Sequence, residues 1–285
     1  MKKFVINKGY IMNNKEFITG NTEIYFSKKL KNRFNQIYSD IIEILNEHDI
    51  NYNFVDVPSV WIGDYMPVQT YFDKFVKFKT SNKKYDETCL RICNKLDINV
   101  SLSDIILDGG NLVLDQIYAV ITDKIFDDNK NLSKKEVIYQ IEKILENYSV
   151  IFIPGLNKDQ LKHSTTMLRF IDKKTVIVNN YSNYKEYREK LFNVLKREKL
   201  DIYEFPIIQD FLKKNKEGLQ DYNEYLCYTH LNNDSLLYPT YNDEEDKIAI
   251  NHMKQFYDHI ETVNANILAN CGGGLDCILW ERTVK

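Results

Sequence analysis

Residues 269–280 run Ala269-Asn-Cys-Gly-Gly-Gly-Leu-Asp-Cys-Ile-Leu-Trp280. Three consecutive glycines give a backbone able to take positive φ and to let another group approach closely. The apolar run Cys277-Ile-Leu-Trp280 that follows predicts a short buried strand, so the second cysteine lies where a flexible turn meets rigid structure. A nucleophile is well placed there. The same residues equally suit a plain tight turn with Cys277 as a small buried hydrophobe, the common fate of a free cysteine. What separates the two readings lies elsewhere in the chain.

Upstream of the glycines, Ala249, Met253, Phe256 and Ile260 recur at helical steps, and Ile260 to Val263 follows as a strand. This order of helix, strand, special turn and further strand recurs five times at an irregular spacing of about fifty residues. The first unit has Leu30, Phe34, Ile37, Ile41 and Ile44 on one helix face, the strand Tyr52 to Pro58, the turn Trp61-Ile-Gly-Asp-Tyr-Met-Pro67 and the alternating Lys74 to Lys79. The second has Tyr85, Cys89, Cys93 and Leu96, the strand Ile98 to Leu102, the turn Asp108-Gly-Gly-Asn111, and strands around Leu112 to Leu114 and Ala119 to Ile121. In the third, Ser133 and Glu136 form a capping-box signature; the strand Val150 to Pro154, a turn holding His163, and strands at Met167 to Ile171 and Thr175 to Val178 follow. The fourth has Tyr184, Tyr187, Leu191 and Val194 on a helix, then strands at Ile202 to Pro206, Tyr225 to Tyr228 and Leu236 to Tyr238; its polar stretch Phe211 to Asn223 predicts a surface insertion. No proline-rich or glycine-rich linker separates the units, so residues 1–285 are expected to form one α/β domain. Closing five such modules into a ring would bring their turns, with Asp64, Asp108, His163 and Cys277, to the middle.

Composition excludes several classes of function. With 38 basic and 41 acidic residues intermixed to a net charge of −3, the chain lacks the basic footprint of a nucleic-acid binder. Lys2 and Lys3 precede only Phe4-Val5-Ile6, too short for a signal-peptide core, and no stretch has the length of a membrane span. A cytoplasmic location is expected. Five cysteines without framework spacing fit reduced thiols. Cys89 and Cys93, four apart on a helix without a second ligand pair, are expected to pack in the core rather than bind zinc.

The four turns carry a resemblance. In order they are Trp61-Ile-Gly63-Asp64-Tyr-Met-Pro67, Asp108-Gly109-Gly110-Asn111, Lys162-His163-Ser164-Thr165 and Asn270-Cys-Gly-Gly-Gly-Leu-Asp-Cys277. They resemble the turns Trp-x-Arg-Asp-x-x-Pro, Glu/Asp-Gly-Gly, Gly-His-x-Asp and the glycine-rich run before the nucleophilic cysteine in the guanidine-modifying (pentein) superfamily. The likeness is to its agmatine deiminase and bacterial peptidyl-arginine deiminase branch. It implies a five-bladed α/β propeller and a cysteine-dependent hydrolase of a guanidino compound, whether a small molecule or a peptidyl arginine. It implies no cofactor, no metal, no nucleic acid and no membrane, and a homo-oligomer is compatible with it. Catalysis would fall to Cys277, His163 and Asp108, and the substrate to Asp64, Trp61, Thr165, Asn111 and Gly274. Read on their own, Trp61 and Trp280 are core residues, Asp64 and Asp108 are ordinary turn formers, and His163 is a surface histidine like His48, His230, His252 and His259.

Three residues depart from the branch. Gly63 stands where it has arginine, Thr165 where it has the aspartate that helps to hold the guanidinium, and Cys227 where its fourth unit often has an asparagine. Thr165 is expected to weaken or abolish deimination of arginine and agmatine and to alter the choice of substrate.

The chemistry suits the residue types. A guanidinium carbon is a poor electrophile, so it needs a thiolate to attack it and a proton source for the leaving nitrogen. An imidazolium or the bound cation would shift the thiol, ordinarily near pKa 8.5, toward thiolate. Cys277 is accordingly expected to be the selectively reactive thiol, raised in thiolate content by His163. An amidinotransferase, which passes the amidino group to an amine, and a non-catalytic binding module on the same fold are the alternatives.

Overall fold

The computed structural model describes residues 21–71, 73–159, 161–210, 224–232 and 235–284. The expected insertion Phe211 to Asn223 and the residues around Lys2 lie outside them.

One arrangement repeats. Strand β1 (Asn21–Ser27) is followed by helix α1 (Asn35–Glu47) and returns parallel to itself as β2 (Asn51–Val55). The apolar step of four that predicts the helix is the face it buries, through Ile37, Ile41 and Leu45. The chain then crosses to a new sheet. Strands β3 (Val68–Tyr71) and β4 (Lys74–Lys79) form a hairpin, and helix α2 (Lys83–Lys95) leads to β5 (Val100–Ile106), parallel to β4. Asn82 caps α2 by accepting from Lys84 N at 3.1 Å. Cys89 and Cys93 are buried on its inner face, as the spacing predicts.

The third sheet repeats this with β6 (Val113–Leu114), β7 (Tyr118–Thr122), α3 (Lys134–Ile144) and β8 (Ser149–Ile153). Ser133 and Glu136 form the expected capping box, Ser133 N donating to Glu136 Oε2 at 2.7 Å. The fourth has β9 (Leu168–Phe170), β10 (Thr175–Asn180), α4 (Lys185–Arg197) and β11 (Asp201–Ile208). The fifth has β12 (Thr229–His230), β13 (Ser235–Thr240), α5 (Glu245–Met253) and β14 (His259–Asn264). Finally β15 (Leu279–Val284) pairs antiparallel with β1, so the first and last described strands share a sheet. The described residues thus form five three-stranded sheets in a mixed α/β fold.

The middle strands β7, β10 and β13 are the apolar centres of their sheets because helices and neighbouring sheets cover both faces. Val120, Ile121, Val176, Ile177, Val178, Leu236, Leu237 and Tyr238 are all fully buried. The strand predicted at Cys277 starts two residues later, at Leu279, because Asp276–Ile278 forms a single 3-10 turn that re-aims the chain into β15. Likewise Tyr225 to Tyr228 is a turn, with Cys227 N bonded to Glu224 O, and the strand begins at Thr229.

This topology gives five connections of one kind. Each leaves the parallel edge strand of one sheet and enters the antiparallel edge strand of the next. They contain, in order, Asp64, Asp108, His163, the Glu224–Tyr228 turn, and Cys277. The sites predicted from separate repeats are therefore equivalent places in the fold.

Candidate active site

The turns meet backbone against backbone. A Cβ on Gly63 would lie 2.6 Å from the Asp276 carbonyl and 2.9 Å from that of Leu279, so the first turn seats directly on the fifth and no side chain fits at position 63. That packing accounts for the missing arginine there. Of the three glycines in the fifth turn, only Gly272 takes a positive φ, at 78°.

A cavity of about 290 Å³ opens between these turns. Asp64, Gly109, Gly110, Thr165, Arg169, Asp276 and Cys277 line it, and Met66, Val68, Leu114, Tyr228, His230 and Glu281 extend the wall. His163 is buried behind Gly110: a Cβ there would collide with its Nδ1 and lie 3.0 Å from Cε1. On its other side, His163 Nε2 is 3.5 Å from Asp108 Oδ2, and Lys124 Nζ is 3.3 Å from the same oxygen. Asp64, Thr165, Cys277 and the His163–Asp108 pair are thus assembled at one place.

Trp61, Asn111 and Gly274, expected at the substrate, are not among the residues that line the cavity. Trp61 fills the space beside Gly273, where a Cβ would be 2.8 Å from its Cη2, and packs 6.0 Å from the Phe34 ring. It braces the glycine turn from behind. Asn111 is buried and accepts from Thr122 N at 3.0 Å through Oδ1, tying the second turn to β7. Gly274 touches the candidate nucleophile, its N–H pointing to Cys277 Sγ at 3.5 Å. His230 is not the surface residue its sequence suggests; it lines the cavity and pairs with Tyr257 Oη at 3.2 Å.

Buried carboxyls set the electrostatics at this place. Burial pushes the Asp64 carboxyl up from 3.8 to about 6; His163 opposes this, while Asp276 and Asp108 add to it. Asp64 Oδ1 is buried without a hydrogen-bond partner. Asp108 behaves oppositely: burial works to raise it, but the hydrogen bond with His163 and the charge of Lys124 hold it to about 2. Burial alone would discharge His163, yet Asp108 and Asp64 raise its pKa. For Cys277, burial and then the charges of Asp64, Asp276 and Glu224 push the thiol well above its ordinary range. The expectation of an approachable thiol is corrected: among the described cysteines the exposed one is Cys271, and Cys277 is buried.

Two charged residues near the cavity escape motif reading. Arg169 lies on β9 with its Nη2 2.6 Å from Asp276 Oδ2 and its Nε donating to Leu226 O at 2.8 Å. Its signal is a single charge inside the apolar run Met167 to Ile171, which burial obliges to find a partner. Glu224 is 5 % exposed and its only sequence signal is adjacency to Tyr225-Leu-Cys-Tyr228. Among the described residues no group of three or more His, Cys, Asp or Glu is arranged to hold a metal ion, and no helix is long and apolar enough to cross a membrane.

The fold and a family model together place this chain in the class of hydrolases that act on guanidino carbon–nitrogen bonds. The model, that of the Porphyromonas-type peptidyl-arginine deiminases, matches residues 20–282, and the chain belongs to this family. Among solved structures, it is similar to the agmatine deiminase of C. jejuni, with 18 % identity, 95 % of this chain and 96 % of that one covered, and a TM-score of 0.74. A putative peptidyl-arginine deiminase superposes at a TM-score of 0.77, with 16 % identity over 97 % of this chain and 99 % of the other. The agmatine deiminase of Enterococcus faecalis gives 0.71, with 15 % identity and 96 % of each chain covered. At such identities these likenesses speak for the fold. None of the curated proteins compared with the chain matches it.

Proposed function

We propose that the five sheets are the blades of one propeller spanning residues 1–285, and that the cavity between its turns hydrolyses a guanidino compound through Cys277. The pairing of β15 with β1 supports the ring. The observation that carries the chemistry is the unpartnered Asp64 Oδ1 on the wall it shares with Cys277, beside the His163–Asp108 pair. An uncompensated carboxylate in a closed cleft favours a cation.

A bound guanidinium donates N–H groups to Asp64, a charge-assisted contact, and its positive charge offsets the carboxylates that hold the Cys277 proton on. The thiol ionises and its proton leaves to solvent. The thiolate attacks the guanidinium carbon; as the C–N bond breaks, His163 gives a proton to the departing ammonia or alkylamine, leaving an amidino group on sulfur. Asp108, an ionised acceptor, holds the N–H at Nε2, so Nδ1, which faces Gly110 of the cavity wall, is the nitrogen that gives up and takes back a proton. The neutral imidazole then takes a proton from water, the hydroxide adds to the same carbon, and the C–S bond breaks as the new hydroxyl loses its proton to solvent, giving a ureido product and free thiolate. Thr165 offers this substrate one hydroxyl, buried and without a partner, where a carboxylate would give a charge.

The test is a panel of agmatine, arginine, N-methylated arginine and a peptidyl arginine, followed for ureido product and released amine. Turnover of at least one compound that disappears in Cys277→Ala supports the reading. Turnover that survives that change, or none on any member, refutes it. A new guanidino compound formed on adding a primary amine reassigns the protein to amidino transfer.

A further inference from the structure

Position 165 leaves the guanidinium site one carboxylate short, and the fourth inter-sheet turn carries one that no family motif places there. Glu224 opens that turn, its carbonyl accepting from Cys227 N at 2.9 Å. The residue is 5 % exposed, and among the described residues its side chain accepts one hydrogen bond, from Cys227 Sγ to Oε2 at 3.3 Å. Among the described residues it forms no ion pair. A carboxylate has about four acceptor sites, so most of its capacity is unspent, an arrangement that costs free energy unless something comes to fill it.

The group it faces is the nucleophile's turn. A Cβ on Gly274 would lie 3.0 Å from Glu224 Oε2, 2.8 Å from Cys227 Sγ and 2.6 Å from Cys227 Cβ, so the absence of a side chain at 274 is what lets the two turns close on each other. The N–H of that same glycine is 3.5 Å from Cys277 Sγ. Glu224 stands behind the cavity lining, with Gly274 between its carboxyl and the sulfur. We propose that Glu224 is the second carboxylate of the guanidinium site, supplied from the fourth turn in place of the one the third turn lacks at Thr165. This rests on the guanidine reading of the cavity. It also revises the expectation drawn from Thr165 alone: an unsubstituted guanidinium keeps two carboxylates to bind, Asp64 and Glu224.

The proposal has a proton signature. Burial pushes Glu224 up to about 8, with Asp276 and Asp159 adding and Cys227 and His163 opposing; Cys277 and Tyr241 also face it. At pH 7 the empty site therefore holds a proton on Glu224. A cation that pairs with it expels that proton. Asp64, at about 6, is already mostly ionised at that pH and releases little.

The experiment is calorimetric titration of agmatine at pH 7 in two buffers of different ionisation enthalpy. It uses Cys277→Ser protein, which removes both turnover and the thiol's own proton. Expected are release of close to one proton per agmatine and, on adding Glu224→Gln, loss of most of that release with agmatine binding weakened on the order of 30-fold or more. The glutamine is isosteric with the protonated acid, so the fold should persist, and a third variant checks the geometry. Thr165→Asp added to Glu224→Gln returns a carboxylate to the third turn and should recover affinity without recovering the proton release. Unchanged affinity and unchanged proton release in Glu224→Gln overturn the proposal, as does Thr165→Asp failing to restore binding. If Cys277→Ser protein binds no guanidino compound at all, it is the guanidine reading of the cavity that fails, and the assignment of Glu224 falls with it.

Discussion

Replacing Asp64 by asparagine should stabilise the protein at alkaline pH while disabling it. The carboxyl is buried, its Oδ1 has no partner, and its pKa rises from 3.8 to about 6. A group whose folded pKa is raised costs stability wherever the folded chain must keep it ionised. That cost is complete above about pH 6, shrinks as pH falls, and is gone below about pH 4, where folded and unfolded chains both hold the proton. The rise corresponds to about 3 kcal/mol at ~1.36 kcal/mol per pH unit. Asparagine cannot ionise, so any packing or hydrogen-bond difference it introduces is the same at every pH. The quantity to measure is therefore the change with pH in the stability difference between Asp64→Asn and wild type. It should grow by about 3 kcal/mol in favour of the variant between pH 4 and pH 8, roughly a 1 M shift in urea midpoint at a slope near 3 kcal/mol per M. In the same series, wild-type kcat/KM on a cationic guanidine should fall as pH drops through about 6, where Asp64 loses its charge, and the variant should have little activity at any pH. A stability difference that is flat with pH, or that grows toward acid, refutes the picture of an uncompensated carboxylate held for a cation.

Gly110→Ala should cost on the order of 100-fold in kcat and about 1–3 kcal/mol of stability, since the added methyl group collides with the His163 ring and displacements of about 1 Å carry that kinetic penalty; kinetics at denaturant concentrations where urea unfolding shows the variant folded distinguishes this from a folding defect. Arg169→Gln should destabilise the fold by about 3–5 kcal/mol by leaving Asp276 buried and unpaired, and denaturant titration of the single variants against Arg169→Gln/Asp276→Asn should show the double change to be milder than the single arginine loss. Iodoacetamide at neutral pH should modify Cys271, which is exposed, before Cys277. A chloroacetamidine, bringing its own positive charge to the carboxylates, should reverse that order, and peptide mass spectrometry reads both.

The repeat was legible because it is written in periodicities that only burial enforces. Ile37 and Ile41, Cys89 and Cys93, and Val137 and Ile141 each lie four apart on a helix and are buried together. The polar members of the site were legible from residue type, since a cysteine, a histidine and two aspartates at equivalent turns are hard to explain as packing. Other features needed three dimensions. Trp61 shares the first turn with Asp64, yet its ring points into the space behind Gly273, and nothing local distinguishes a side chain on the cavity side of a turn from one on its back. The buried state of Glu224 depends on the fourth turn folding against Gly274, fifty residues away in sequence. The burial of Cys277 was hidden for the same reason: its glycines suggest access, but the folded turn encloses the thiol, and burial, then the neighbouring carboxyls, hold its proton on.

Those carboxylates also bear on how a product would leave. The five connections occupy equivalent places, so a polar residue on any of them is pressed into the same small volume, and the site holds more carboxyls than it pairs. Lys124 is shared by Asp108 and Asp128, and Arg169 is committed to Asp276; Asp64 and Glu224 have no such cation among the described residues. A guanidinium relieves that imbalance, whereas the ureido group formed by hydrolysis is neutral and does not. Binding that depends on charge is thus strong for the substrate and lost in the product. On this reasoning the ureido product should inhibit only weakly, at concentrations well above the KM of its parent guanidine, and the gap should narrow in Asp64→Asn, where the substrate has lost the charge that distinguished it. Product inhibition as tight as substrate binding in the wild type would mean that groups beyond the guanidine, rather than the buried carboxylates, hold the ligand.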